Sequence, residues 1–206
     1  MSRLARTLLL AAITFCLIAP SASAAPTSRL GGILGDLWTT VLETPTPQNP
    51  FAGGDTCVVL GGNIVAPFGP SGAGPCTVKR GTKIFAGAWT TECSTFEGDT
   101  CGGTNEAELR ANARAADAGI TTHAVTVDGQ PVPVTEVETG LLSIHLPNDN
   151  IFGLKGADRK GLSVAHGWVV LLGPLAAGTH TIVIHIAGTY FGQPVDSTIT
   201  TLIIVQ

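Results

Sequence analysis

The sequence has few charged residues and no cluster of basic ones. Charged side chains make up 13% of the 206 residues, and fifteen acidic residues outnumber eleven basic ones. Adjacent basic residues occur only as the pairs Lys79-Arg80 and Arg159-Lys160. A nucleic-acid-binding protein needs a basic stripe that displaces counterions from phosphate. The composition therefore argues against nucleic acid as a partner.

Beyond its N-terminus, the sequence also lacks an apolar run long enough to cross a membrane. A spanning helix needs about 20 apolar residues. The most apolar later stretch, residues 164–175, is interrupted by His166 and Pro174. We therefore predict no membrane span in the mature protein.

The first 24 residues have the pattern of a signal peptide. Arg3 and Arg6 form a basic start, residues 8–18 form a short apolar segment, and Ala22-Ser23-Ala24 offers small residues for cleavage. We therefore predict a secreted, extracellular protein with a mature N-terminus at Ala25. The predicted organisation is a signal peptide (1–24), an N-terminal helix with a proline-rich connector (25–50) and a disulfide-stapled domain (51–206).

Four cysteines remain after the predicted cleavage, namely Cys57, Cys76, Cys93 and Cys101. An even number in an exported protein predicts two disulfides, for which three pairings are possible. We favour Cys57–Cys76 and Cys93–Cys101, because each bridge closes a loop rich in Gly, Pro, Ser or Thr. The sequence has no Cys-x-x-Cys pair, which argues against a zinc site at these cysteines.

Hydrophobic periodicity predicts a helix near each end of the cysteine-bearing region. Residues 29–43 carry apolar side chains on one helical stripe, and the proline-rich residues 44–50 predict a stiff, extended connector after it. Asn105 and Glu108 resemble a capping box before an alanine-rich helix, Glu106–Asp117.

From residue 57 the apolar pattern changes to a period of two, which is typical of strands. The Asp128-Gly129 pair between two alternating runs predicts a hairpin. Many short strands with Gly and Pro turns predict a mostly β fold, a β-sandwich of jelly-roll or immunoglobulin-like kind with the two helices added. The predicted strands are 57–60, 63–66, 76–79, 82–90, 121–127, 132–137, 141–146, 163–172, 180–187 and 197–205.

Several short motifs are distributed over most of the mature chain: Trp38, 42–45, 48–50, 76–85, 92–94, 108–111, 127–132, 166–168, Pro174 and 178–182. Through them the chain resembles a broad group of exported bacterial proteins that are rich in β-structure and have no assigned activity. Its relatives often have Asp-Gly-Tyr-Trp where this chain has His166-Gly167-Trp168. The resemblance implies an exported β-rich fold and nothing catalytic.

The five histidines are candidate metal ligands, and strand parity separates them. His123, His166 and His180 share strand faces with apolar residues, which predicts core or strand-end histidines with satisfied hydrogen bonds. His145 and His185 point away from the apolar faces of their strands. Neighbouring strands would bring these two together as a partial metal site, although no third ligand is near in sequence.

Calcium is the other candidate ion, and no further cofactor is predicted. Asn148, Asp149 and Asn150 place three oxygen-bearing side chains in a turn after a predicted strand. Calcium prefers such oxygen ligands, but the spacing of an EF-hand loop is absent.

No catalytic set is evident. Residues 161–165 resemble a nucleophile elbow around Ser163, but the elbow requires a strand followed by a helix, and no helix follows here. A glycosidase needs two facing carboxylates, and no spacing singles out a pair. The candidate acids are Glu92, Glu97, Asp99, Glu136, Glu138 and Asp149.

Aromatic side chains offer one last type of site, a platform for a sugar ring. The candidates are Trp38, Trp89, Trp168, Phe85, Phe96 and Tyr190. Trp89 and Trp168 lie within predicted strands, so we expect both in the core.

These observations favour a secreted, non-enzymatic binding or structural module for an extracellular ligand or surface. The alternative is a secreted hydrolase whose active site is assembled from distant loops. An apolar cleft lined by two acids, or by a serine and a histidine within hydrogen-bond reach, would favour the hydrolase. A flat surface with exposed aromatic residues would favour the binding module.

Overall fold

The computed structural model describes residues 28–69, 72–98 and 101–206, and the predicted signal peptide lies outside them. This part of the chain contains two α-helices and eleven β-strands, and none of its helices is long and apolar enough to cross a membrane. In chain order the elements are α1 (Arg29–Leu42), β1 (Cys57–Leu60), β2 (Ile64–Pro67), β3 (Cys76–Val78), β4 (Lys83–Ser94), α2 (Glu106–Asp117), β5 (Ile120–Val127), β6 (Gln130–Val132), β7 (Thr135–Glu138), β8 (Leu142–His145), β9 (Lys160–Leu172), β10 (Gly178–Tyr190) and β11 (Gln193–Val205).

The strands form two sheets that face each other in a sandwich-like arrangement. The first sheet has the order β1-β2-β4-β9-β7, with β8 also paired to β9, and the second has the order β3-β11-β10-β5-β6. Both sheets are mixed, because β2 runs parallel to β4 and β3 runs parallel to β11. The predicted mostly β, sandwich-like class with two helices is therefore confirmed.

The molecule has three layers, with the main apolar core between the two sheets. Ile84, Ala86 and Val170 of the first sheet pack there against Ile182 and Ile203 of the second. Helix α1 covers the opposite face of the first sheet, where Leu34, Leu37, Trp38 and Val41 pack against Phe85, Ala165 and Val169. The first sheet is thus buried on both faces.

Local sequence signals account for both helices and for the predicted hairpin. The Ser28 hydroxyl accepts the Gly31 N–H at the start of α1, and the Asn105 side chain accepts the Glu108 N–H at the start of α2. Asp128 and Gly129 adopt φ angles of 51° and 77°, the left-handed values that a tight two-residue hairpin requires. This turn joins β5 to β6.

The predicted extended connector after α1 is wrong. Residues 46–52 instead form two 3₁₀ turns, Thr46–Gln48 and Pro50–Ala52. The reason is the buried Asn49 side chain, which donates to the Val41 and Thr44 carbonyl groups and accepts the Phe51 N–H. These bonds turn the chain back toward α1.

The prediction of one strand over residues 132–137 is also wrong. The chain changes sheets here, since β6 pairs with β5 in the second sheet and β7 pairs with β9 in the first. Pro133 lies at the change, and proline cannot donate the backbone hydrogen bond that a continuous strand would need.

Both predicted disulfides are present. Cys57–Cys76 joins β1 of the first sheet to β3 of the second, so this bridge ties the two sheets together. Cys93–Cys101 links the end of β4 to the segment before α2, beside buried Leu109, Ala113 and Val164.

Candidate functional site

An open cleft of about 870 Å³ lies along one edge of β4. Strand β9 pairs with β4 from Ile84 to Ser94 on one side, but β2 pairs with only Lys83 and Ile84 on the other. No other strand in the described residues pairs with this second side. Six consecutive residues, 87–92, therefore line the cleft.

One wall of the cleft is aromatic. Trp38 from α1, Phe51 from the second 3₁₀ turn and Phe68 from the loop after β2 line it. Their ring centroids lie 5.1–6.0 Å apart, with Phe68 edge-on to the other two rings. Phe51 is 42% exposed, which is high for such a large apolar side chain.

The opposite wall comes from the second sheet. Ile184 and Ile186 of β10 and Ile199 of β11 line it, and their side chains also belong to the core between the sheets. Tyr190 continues this wall and packs edge-on against Trp89, with ring centroids 4.9 Å apart. The cleft is therefore apolar on both sides, as ligand pockets commonly are.

Two carboxyl groups, Glu92 and Glu97, also line the cleft. Glu92 is 7% exposed, and its carboxyl group accepts a short hydrogen bond from the buried Ser163 hydroxyl. Glu97 follows β4 in a turn and accepts the Ser94 backbone N–H at 3.1 Å. Both acids flank the Cys93–Cys101 bridge.

The position of these acids raises the pKa of both. Burial raises the pKa of Glu92 to about 8, the charge of Glu97 adds to this, and the hydrogen bond from Ser163 opposes it. Burial likewise raises the pKa of Glu97, against the hydrogen bond from the Ser94 N–H. The protonated form of Glu92 therefore predominates at neutral pH.

A buried polar network supports the β4 residues that line the cleft. Asp117, at the end of α2, is fully buried and accepts hydrogen bonds from Trp89 Nε1 at 2.7 Å and from Thr91 Oγ1 at 2.5 Å. The same carboxylate lies 2.7 Å from His166 Nδ1, and His166 Nε2 lies 3.1 Å from Glu136. The hydrogen bond from Trp89 Nε1 to Asp117 fixes the orientation of the indole that lines the cleft.

The pKa of His166 is raised in this network. Burial alone would lower it, but the hydrogen bonds and negative charges of Asp117 and Glu136 outweigh burial. The structure thus gives His166 satisfied hydrogen bonds, as expected from strand parity. Asp117 was not identified from the sequence, because an acid at the end of a helix is usually exposed to solvent.

The other two histidines on apolar faces have different surroundings. His180 lies 2.7 Å from Asp128 and 2.9 Å from the Ala176 carbonyl oxygen. His123 stacks on Trp168 with ring centroids 4.1 Å apart, but its buried Nδ1 has no hydrogen-bond partner. The expected hydrogen bond is therefore absent at His123 Nδ1.

The structure does not bring His145 and His185 together. His145 lies on β8 of the first sheet and His185 on β10 of the second. His185 Nε2 is 3.0 Å from Asp196, and the His145 backbone N–H donates to Glu43. The metal site stays a prediction, with its two ligands on separate sheets.

The candidate calcium loop is organised mainly by Asn150. The Asn150 side-chain oxygen accepts the Phe152 and Leu154 N–H groups, and its amide donates to the Pro147 and Leu154 carbonyl groups. Asn148 and Asp149 are exposed. Calcium binding at these three residues stays a prediction, and it would require Asn150 oxygen to exchange its backbone partners.

Within residues 28–69, 72–98 and 101–206, the one close group of three potential metal-ligating side chains is Cys93, Glu97 and Cys101. Both cysteines are in a disulfide, so neither offers the thiolate that metals bind. This group therefore does not form a thiolate metal site.

The aromatic candidates divide between the cleft and the core. Trp38, Trp89 and Tyr190 line the cleft, whereas Phe85 is fully buried between α1 and the first sheet. Trp168 packs against His123 and His166. Phe51 and Phe68 also line the cleft but were not among the candidates. Phe51 directly follows the predicted connector, residues 44–50.

Comparisons with known proteins yield only distant matches. No family model matches the chain, and no curated protein is similar to it. A cysteine protease inhibitor from Entamoeba histolytica aligns at 11% identity over 70% of this chain and 95% of that one, with a TM-score of 0.27. Amebosin aligns at 12% identity over 65% of this chain and 89% of that one, with a TM-score of 0.20. At these TM-scores the alignments carry no argument about fold or function.

Proposed function

We propose that this protein is an extracellular binding module and that the cleft beside β4 is its ligand-binding site. The observation that carries the proposal is the cleft itself, which presents aromatic and aliphatic walls over about 870 Å³. Folded proteins usually bury apolar surface of this kind. A large apolar surface that stays exposed commonly marks a binding site.

We further propose that the protein is exported, with residues 1–24 removed. Two disulfides support this proposal, because such bridges persist mainly in oxidising compartments outside the cytosol. The intact mass of the protein recovered from culture medium should correspond to a chain that begins at Ala25. A recovered chain that retains residues 1–24 would contradict it.

The cleft can be tested with Nile red, a neutral dye that fluoresces in apolar surroundings. Ser197 of β11 lines the cleft and is half-buried, whereas the next residue, Thr198, is exposed. Ser197→Phe should obstruct the cleft at the wall formed by the second sheet and weaken dye binding by about tenfold or more, while Thr198→Phe should leave it close to that of wild type. Equal binding to all three proteins, or no binding to wild type, would contradict the proposal.

The two acids in the cleft favour one second candidate, a secreted hydrolase. Glu92 has the raised pKa of a general acid, and Glu97 is close enough to interact with it. However, both acids lie at the same end of the cleft, on β4 and its following turn, whereas glycosidase carboxyl groups flank the bond that is cleaved. Hydrolysis of a glycan or ester panel that is lost in Glu97→Gln would establish this candidate in place of the first.

A further inference from the structure

We propose that the ligand is an extended polypeptide segment that pairs with the free edge of β4 as an added strand and carries a basic side chain at the Glu97 end. This inference rests on the proposed function, since it names the class of ligand for the same cleft.

The free edge of β4 favours pairing with an added strand. Beyond Ile84, no strand in the described residues pairs with the side of β4 that faces away from β9. An edge of this kind presents backbone N–H and C=O groups at every second residue. An added strand satisfies such groups directly, which is how β-augmentation binds peptides.

The cleft runs along the edge of β4 and not along one face of the strand. Side chains of a strand alternate between two faces, so a pocket on one face contacts only every second residue. This cleft is lined by six consecutive residues, 87–92. A bulge between Gly87 and Trp89 interrupts the alternation, but the four residues 89–92 that follow it also line the cleft, which therefore follows the edge of the strand. Six residues of extended chain span about 20 Å.

The walls of the cleft continue the two layers that cover the first sheet. A strand added beside β4 would face Trp38 and Phe68 on the α1 side, and Ile186 and Ile199 on the side of the second sheet. Both of these surfaces are apolar. The segment should therefore be apolar on both faces, as strands covered on both sides usually are.

The acids that line the cleft favour a basic group in the ligand. The described lining residues include two carboxylic acids, Glu92 and Glu97, and no lysine, arginine or histidine. Because Glu92 is protonated at neutral pH, Glu97 is the acid that can carry the negative charge. A cation in the ligand is complementary to this end of the cleft, whereas a carboxylate would be repelled. A lysine or arginine next to an apolar run is therefore the expected sequence feature.

The test is a selection from a displayed library of random linear nine-residue peptides on the disulfide-intact mature protein. Ser197→Phe serves as the variant with an obstructed cleft and Thr198→Phe as its matched control. We expect wild type and Thr198→Phe to enrich apolar peptides with one lysine or arginine, and Ser197→Phe to enrich none of them. Amide exchange should slow by about tenfold or more at those residues of 87–92 whose N–H faces the free edge when an enriched peptide, made synthetically, is bound.

N-methylated versions of the enriched peptide separate strand pairing from simple apolar contact. Methylation of one alternate set of amides should weaken binding by about tenfold or more, and methylation of the other set should have a much smaller effect. Equal effects of the two sets, or bound peptide without protection of residues 87–92, would overturn the proposal. Concentration-dependent dimers that protect the same amides without peptide would also overturn it, since the occupant would then be a second copy of this chain.

The Nile red measurement distinguishes this inference from the function on which it rests. If Ser197→Phe abolishes dye binding but no peptide is enriched, the peptide is wrong and the binding cleft stands. If Ser197→Phe changes neither dye binding nor peptide binding, the proposed function fails as well.

Discussion

Glu92 shows how a single side chain can work against the stability of this fold. Its carboxyl group is buried beside Glu97 and Ser163, and burial raises its pKa from 4.5 to about 8. In the unfolded chain the same group ionises near pH 4.5. The folded state therefore binds a proton that the unfolded state has lost over the range between these values. Stability must fall as the pH rises through this window.

Replacing Glu92 by glutamine should remove that pH dependence. Each pKa unit corresponds to about 1.4 kcal/mol, so the free energy of unfolding of wild type should drop relative to Glu92→Gln by about 2 kcal/mol between pH 5 and pH 7. Urea denaturation across this range measures the difference. Asp36→Asn, on the exposed face of α1, is the control and should follow wild type. A constant difference between wild type and Glu92→Gln would contradict the assigned protonation.

The Asp117 carboxylate has the opposite role, because it accepts hydrogen bonds from Trp89 and Thr91 and contacts His166. Asp117→Asn should lower the free energy of unfolding by about 2–4 kcal/mol, since one oxygen acceptor becomes an amide donor in a buried site. Asp36→Asn, on the exposed face of α1, should change it by less than about 0.5 kcal/mol. Chemical denaturation of both variants checks this, and equal stabilities would contradict the network.

At the scale of elements, the cleft exists because neighbouring strands differ in length. β4 has twelve residues and β2 has four, so most of β4 has no partner on that side. The short β3 pairs only with the last residues of β11, 203–205, and the Cys57–Cys76 bridge holds it to β1. This bridge is therefore placed to hold the two sheets together near the cleft.

Removing the Cys57–Cys76 bridge should release β3. In the chain-entropy model a loop of 19 residues corresponds to about 3 kcal/mol, and we expect Cys57→Ala/Cys76→Ala to lose about that much stability. Amide exchange should accelerate in β3 and β1 more than in β5 and β10. Cys93→Ala/Cys101→Ala is the matched comparison, and it should accelerate exchange around α2 instead. The same exchange pattern in both variants would contradict the assignment of the first bridge to β3.

Much of this element structure could be predicted from periodicity and local signals. The α2 boundaries, Glu106–Asp117, and the β5–β6 hairpin follow from capping and turn residues, whose effects are local. The parallel pairing of β2 with β4 and of β3 with β11 leaves no such signal, because it joins segments that are distant in sequence. Both expected sandwich types are built from antiparallel sheets, so these pairs were not anticipated.

The candidate site could be predicted only in part, for the same reason. Glu92 and Glu97 were among six acids without a distinguishing spacing, and their proximity depends on the turn after β4. Phe51 joins Trp38 because Asn49 folds the connector back. Each of these contacts depends on the path of the chain between the contacting residues. Residue type alone does not determine that path.

At the scale of the whole molecule, the three-layer arrangement places the cleft where α1, the first sheet and the second sheet meet. The core between the sheets continues into one wall through Ile184 and Ile186, and the α1 layer continues into the other through Trp38. A ligand in the cleft would complete both layers at once. Binding should therefore stabilise the folded protein, by an amount that rises with the logarithm of ligand concentration above Kd.

The most direct test of the binding cleft is an NMR titration of the ¹⁵N-labelled mature protein with an apolar ligand such as Nile red. The account predicts that amide signals of residues 87–92 shift together with those of Ile186 and Ile199, because the ligand contacts the β4 edge and the second sheet at the same time. Signals of exposed residues on the outer faces, such as His145, should stay in place. Shifts confined to those outer faces, or no shifts at saturating ligand, would contradict it.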